Sequence, residues 1–182
     1  KPKGRVMPRP AGEQAHPGAD RALWGSTIAF TACFAVWTIF SIIGLQIKDE
    51  LGLSETEFGL LVGTPILTGS LSRVFLGIWA DQFGGRRILA LVMVLASIAT
   101  FLTSLADTYA ELLIAALGVG IAGGAFSVGV TYVSKFFPAS RQGTALGIFG
   151  AGNVGSAVTK FLAPFVMVAN GMNWDNHVFQ HE

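Results

Sequence analysis

Apolar residues in this chain are gathered into long blocks, and the charged residues fall mostly between them. Five blocks stand out, over residues 23–47, 58–80, 88–105, 109–137 and 143–168. The first exceeds the ~20 residues needed to cross a ~30 Å hydrocarbon layer. It is also too long for the ~7–15-residue apolar region of a cleaved signal peptide. The fourth is longer than one crossing needs, which predicts a tilted helix or one that projects from the bilayer. Helices satisfy their own backbone groups in lipid and open strands do not, so the pattern predicts five transmembrane helices.

The flanks differ in kind. Residues 1–22 are rich in Pro, Gly and charge and lack the apolar surface to form a core. They are expected to be a disordered tail, followed by helices over 23–168 and a polar loop over 169–182. Lys1 and Glu182 do not read as natural termini, so the chain is expected to be a piece of a longer one.

Charge adds direction. Lys1, Lys3, Arg5, Arg9 and Arg21 precede the first block. Arg86 and Arg87 lie between the second and third, and Lys135 and Arg141 flank the turn between the fourth and fifth. The alternate loops carry Asp49, Glu50, Glu55, Glu57, Asp107, Glu111 and Asp175, with Lys48 their one cation. The excess of positive residues on one side makes that side, with the N-terminus, cytoplasmic.

Composition agrees with a lipid solvent. Of the 182 residues, 52% are hydrophobic and 13% charged, and mean hydropathy is +0.58. Soluble domains carry ~25% charged residues. A net charge of +1 offers no basic field for nucleic acid. The single Cys33 excludes an internal disulfide and a cysteine zinc site. His16, His177 and His181 read as ordinary residues of the polar tails, so neither a metal nor a cofactor is expected.

Between the second and third blocks the chain reads Gly77-Ile-Trp-Ala-Asp81-Gln-Phe-Gly84-Gly85-Arg86-Arg87. This resembles the signature loop of the major facilitator superfamily, with one additional glycine before the arginines. Gly77 would admit a neighbouring helix. Asp81 would end the second helix and accept hydrogen bonds from a neighbouring helix N-terminus or pair with an arginine. Gly84 and Gly85 would make the turn. Such a loop serves gating and carries no information on the substrate.

The fifth block holds Gly143, Gly147, Gly150-Ala151-Gly152-Asn153-Val-Gly155 and then Leu162-Ala163-Pro164. With Phe136-Phe137-Pro138 before it, this resembles the nitrate signature of the nitrate/nitrite porter family, one residue shorter than the usual spelling. Gly143, Gly147, Ala151 and Gly155 recur every four residues, a small-residue stripe of the kind that packs two helices closely. The stripe leaves Asn153 unexplained, since its amide needs a partner. The same glycines also spell Gly-x-Gly-x-x-Gly, the fingerprint of a dinucleotide-binding oxidoreductase, with Asp175 placed as the ribose ligand. That alternative requires a strand before Gly150 and a helix after Gly155, and Pro164 would interrupt the helix.

Two cations sit deep inside apolar blocks, Arg73 in the second and Lys160 in the fifth, and neither of those two blocks holds an acid to neutralise it. A cation at mid-membrane costs at least ~2.5–3.5 kcal/mol on insertion scales. A planar guanidinium suits a planar oxyanion. Counted along antiparallel helices, Arg73 and Asn153 fall in the same slab just to the cytoplasmic side of the midplane, where transporters of this kind bind substrate.

The resemblance implies an all-α membrane protein, the first five of twelve helices of a major facilitator bundle in a bacterial inner membrane. It implies transport and no enzymatic step. Arg73, Phe126, Asn153 and Gly152 take the places of residues that bind the anion. The partners implied are nitrate or nitrite, protons, the bilayer and a C-terminal half. Moving an anion inward against ~100 mV costs ~2.3 kcal/mol, so uptake needs coupling. Lys160, seven residues after Asn153, is the candidate for proton coupling. Exchange of nitrate for nitrite, or transport of another small anion, is the alternative.

Overall fold

The computed structural model describes residues 15–169. They form five helical rods, with no strand among the described residues. The first rod joins α1 (Ala19–Trp37) to α2 (Phe40–Leu51). The second is α3 (Glu55–Phe83) and the third α4 (Gly85–Thr103). The fourth runs from α5 (Tyr109–Gly120) through a 3-10 turn at Ile121–Gly124 into α6 (Ala125–Ser134). The fifth runs from α7 (Ala139–Gly150) through a 3-10 turn at Ala151–Asn153 into α8 (Val154–Ala169).

The first four rods, Ala19–Leu51, Glu55–Phe83, Gly85–Thr103 and Tyr109–Ser134, are long and apolar enough to cross a membrane. The fifth is helical throughout but is not among them. Its glycines, Asn153 and Lys160 dilute its apolar content. The first rod starts at Ala19, so residues 19–22 are helix and not tail. Asp20 in its first turn complements the helix dipole. Of the expected tail, residues 15–18 are described and lie before this helix; residues 1–14 and the closing polar stretch 170–182, with His177, His181 and Asp175, lie outside the described residues.

Local chemistry sets the rod ends. Ser54 and Glu57 form a capping box at the start of α3, as do Thr108 and Glu111 at the start of α5. Gly52 and Gly84 have φ of 61° and 91°, conformations that close α2 and α3 with no side-chain penalty. The break between α1 and α2 falls at Thr38 and Ile39. There the Thr38 hydroxyl donates back to Phe34 O at 3.1 Å, and the Ser41 hydroxyl donates to Thr38 O at 2.6 Å. Such side-chain bonds compete with the helical ladder.

Contacts between rods define two ends. At one, His16 N–H donates to Phe136 O at 2.9 Å and Lys135 meets Asp81. This end carries Arg21, Arg86, Arg87 and Arg141. At the other, the Tyr109 hydroxyl donates to Glu57 O at 3.1 Å, and Lys48 pairs with Glu55 at 2.5 Å. The charge alternation read from the loops is therefore a division of the folded bundle.

The interior is apolar and fine-grained. Phe30, Val92, Val128 and Phe149 fill one buried cluster, with Ala80, Ala122 and Ala125 letting the rods approach. Phe40, Leu61, Ala116 and Val119 fill a second, on the Tyr109 side. Outside, large side chains such as Trp24, Leu67, Phe75, Phe101, Ile114 and Phe161 are exposed. That much apolar surface needs lipid or further helices to cover it.

Candidate functional site

Arg73 stands in the inner part of α3, 18 residues from Glu55 and 10 from Phe83. Its Nε–H donates to Gly123 O at 3.1 Å. The guanidinium carbon lies 5.2 Å from the ring centroid of Trp37. Among the described residues the ion pairs are Lys48–Glu55 and Lys135–Asp81. Among the described residues no carboxylate pairs with Arg73. A guanidinium has five N–H donors. With Nε–H committed to Gly123, the terminal Nη1 and Nη2 pair remains, a two-pronged edge that matches two oxygens of a planar oxyanion.

Close packing brings these groups together. Trp37 ends α1 and lies between the second and fourth rods. Its indole N–H donates to Pro65 O at 2.9 Å. A Cβ on Gly69 would sit 2.8 Å from the indole nitrogen, and one on Gly123 would sit 2.9 Å from the ring. The missing side chains at these two positions are what lets the indole lie between the rods. The 3-10 turn at Ile121–Gly124 is where the fourth rod presents the carbonyl that Arg73 takes.

Phe126 lies three residues beyond Gly123 on the same rod. Its ring is 5.5 Å from Phe30 and 6.0 Å from Phe149, and Phe30 stacks on Phe149 at 4.9 Å. Phe126 is thus the outer member of an aromatic stack, 39% exposed. Gly152 packs on the same Phe30, where an added Cβ would come 2.6 Å from the ring. Asn153 follows it in the 3-10 turn of the fifth rod. Its side chain is exposed and makes no hydrogen bond among the described residues. No hydrogen bond joins Arg73 to Asn153 among the described residues; the Phe126–Phe30–Gly152 contacts join the fourth, first and fifth rods, and Arg73, on the second, reaches the fourth through Gly123. Lys160 is exposed on α8, with no ion pair among the described residues.

In the signature loop, α3 runs two residues past Asp81 and stops at Phe83. The positive φ of Gly84, and not Asp81, ends it. Asp81 pairs with Lys135 at 2.8 Å, a lysine from the end of the fourth rod where an arginine was one expected partner. Gly77 faces Ser127, with an added Cβ 2.7 Å from its hydroxyl oxygen, and Gly85 lies as tightly against Tyr132. Both glycines join the second and third rods to the fourth. Arg86 and Arg87 open α4 and make no ion pair among the described residues.

The small-residue stripe divides. Gly155 meets the backbone of Thr31, where an added Cβ would have no room. Gly143 and Gly147 have nothing within 4 Å, and Ala151 is exposed. Of the four, Gly155 alone packs closely among the described residues, and Gly152 joins it. Thr159 Oγ1 completes this seam by donating to Ala35 O at 3.2 Å.

The Gly150–Gly155 fingerprint lies inside continuous helical structure, with α7 where a strand would be needed. A dinucleotide site is therefore excluded. A cavity of about 670 Å³ lined by His16, Arg21, Phe137, Arg141 and Thr144 lies at the Lys135 end of the bundle, and no expected binding residue lines it. No group of metal-ligating side chains occurs among the described residues. The residue that sequence reading passes over is Trp37. Its trace was a tryptophan far from either end of a block, together with Gly69 four residues before Arg73.

Residues 25–176 match the Major Facilitator Superfamily model. The chain is 45% identical over 157 residues to a probable nitrate/nitrite antiporter NarK1 of Thermus thermophilus, covering 86% of this chain and 35% of that protein. It is 36% identical over 152 residues to a nitrite extrusion protein of Bacillus subtilis, covering 84% and 38%. It is 31% identical over 152 residues to a probable nitrate transporter NarT of Staphylococcus carnosus, covering 84% and 39%. The chain thus spans little more than a third of the curated relatives' length. Among solved structures, a bacterial homologue of the human lysosomal transporter Spinster, inward-facing and occupied, superposes with a TM-score of 0.72 at 24% identity. That likeness covers 88% of this chain and 38% of the other and concerns the fold.

Proposed function

We propose that this chain, which belongs to the Major Facilitator Superfamily, supplies one side of the anion site of a nitrate/nitrite transporter. One observation carries the reading. Arg73 sits far from either end of an apolar rod with no acid beside it, held by a carbonyl and an aromatic face that leave its charge uncancelled. A cation kept in that state at membrane depth is costly unless an anion answers it. The two Nη groups suit nitrate or nitrite in particular, since both are planar and offer paired oxygens. The names of the relatives point to the same anions. The substrate contacts proposed are Arg73, Phe126, Gly152 and Asn153.

Transport of this kind makes and breaks no bond. The second half of the bundle is proposed to close the site and to alternate its access. The end bearing Arg86, Arg87 and Arg141 is placed in the cytoplasm of a bacterial inner membrane, in keeping with the positive-inside rule. The polar tail lies on that side and the loop after residue 169 on the other. Lys160 is assigned the proton that couples nitrate uptake, with nitrate/nitrite exchange as the rival coupling.

The test is counterflow of labelled nitrate in proteoliposomes containing the complete transporter. Saturable nitrate exchange, competed by nitrite and not by organic carboxylates, is the expected result. Competition by a carboxylate with no effect of nitrite would replace the reading with an organic-anion porter.

A further inference from the structure

We propose that Trp37 is the positioning residue of the anion site, holding the Arg73 guanidinium with its Nη edge free. The proposal rests on the reading of Arg73 as the anion's ligand. A mid-membrane arginine needs stabilisation, yet a carboxylate would compete with the substrate for the same N–H groups. An aromatic face avoids that conflict. Its quadrupole favours the cation without cancelling its charge or occupying a donor. The 5.2 Å approach of Arg73 to Trp37 meets this requirement, and the Gly123 carbonyl fixes Nε from another direction.

Trp37 is itself immobilised. The Pro65 carbonyl holds its indole N–H at 2.9 Å, and the bare backbones of Gly69 and Gly123 lie against the ring. Arginine has a long side chain that loses considerable rotamer freedom on binding. A rigid aromatic platform removes much of that loss before the anion arrives, which raises affinity through preorganisation. Trp37 also precedes the break between α1 and α2, so the platform stands where the first rod changes from one helical segment to the next.

The experiment uses the complete transporter, purified and titrated with nitrate by calorimetry. W37L is expected to weaken nitrate binding about 10-fold, within the range a desolvated cation–π contact supplies. W37F keeps a ring face and should stay within about threefold of wild type. The discriminating variant is W37L combined with R73K. A lysine has no planar fork to orient, so W37L should add less than about twofold there. A purely structural tryptophan would cost the same in both backgrounds, and that result overturns the proposal. Wild-type affinity in W37L overturns it as well. If W37L does not fold, G123A takes its place, because its added methyl would fall 2.9 Å from the indole and displace it. Wild-type affinity in folded G123A then overturns the proposal. Should R73K alone bind nitrate like wild type, Arg73 is not the ligand, and the functional reading fails before the question of Trp37 arises.

Discussion

Arg73 and Lys160 are both cations in apolar rods, but their surroundings differ. Arg73 has a carbonyl on Nε and a ring on one face, so its geometry is set in advance. Arg73→Lys in the complete transporter keeps the charge and loses the fork. One charged hydrogen bond is worth ~1.5–3 kcal/mol, so nitrate affinity should fall about 10- to 100-fold. Titration of the purified variant reads this directly, and an unchanged affinity would reduce Arg73 to a structural cation. Lys160 has no ion-pair partner among the described residues and lies exposed on α8. Its amine is the proton carrier proposed for coupling, and a glutamine amide offers no such group. Lys160→Gln should therefore uncouple nitrate uptake from an imposed pH gradient while leaving counterflow measurable. If it weakens binding and leaves the gradient dependence intact, Lys160 only attracts the anion, and the exchange mechanism gains.

At the scale of the element, glycines with the same spacing do different work. Gly155 lies where α8 crosses α1, with an added Cβ in collision with the Thr31 carbonyl. Gly147, eight residues earlier, has nothing within 4 Å. Overpacking a fitted interior costs ~1–3 kcal/mol, and backbone on backbone leaves little to relax. Gly155→Ala should lower the thermal transition of the detergent-solubilised protein by several degrees, whereas Gly147→Ala should leave it within about a degree of wild type. Equal effects at both positions would mean that the Thr31 contact is not what the fifth rod depends on. The four-residue spacing was visible in the chain. Which member of the stripe met a backbone was not, because spacing defines a helix face and says nothing of where a second helix crosses it.

For the whole molecule, the division of charge between the two ends becomes a statement about sides of a membrane. Cys33 is the chain's single cysteine and is buried. In a cysteine-free background of the complete protein, with Cys33→Ser among its changes, cysteines introduced one at a time at Glu55, Asp107 and Arg87 report topology. An impermeant thiol reagent applied to intact cells should label the first two and not the third. Labelling at Arg87 with protection at Glu55 would invert the orientation and place the signature loop outside. Much of this scale was legible in advance. The rods fall where the apolar blocks predict, within a few residues, and the signature loop and the nitrate-type element lie on the second and fifth rods.

The boundary between sequence and tertiary structure follows from the solvent. Lipid sets a requirement that each segment meets by itself: enough apolar residues in a row, with charges outside. That requirement is local, so the amino-acid sequence alone determined the helices, their alternating ends, and the anomaly of Arg73 and Lys160 inside them. It could not determine which way each rod is turned. In water a helix shows its buried face by contrast with a polar one, but here both the packed face and the outer face are apolar, and the contrast is lost. The contacts that make the site depend on that rotation and join residues far apart in the chain. Trp37 reaches Pro65 across 28 residues and Arg73 reaches Gly123 across 50. Only the packed bundle decided that an indole would stand beside the guanidinium, because only there do the missing side chains of Gly69 and Gly123 leave the space it fills.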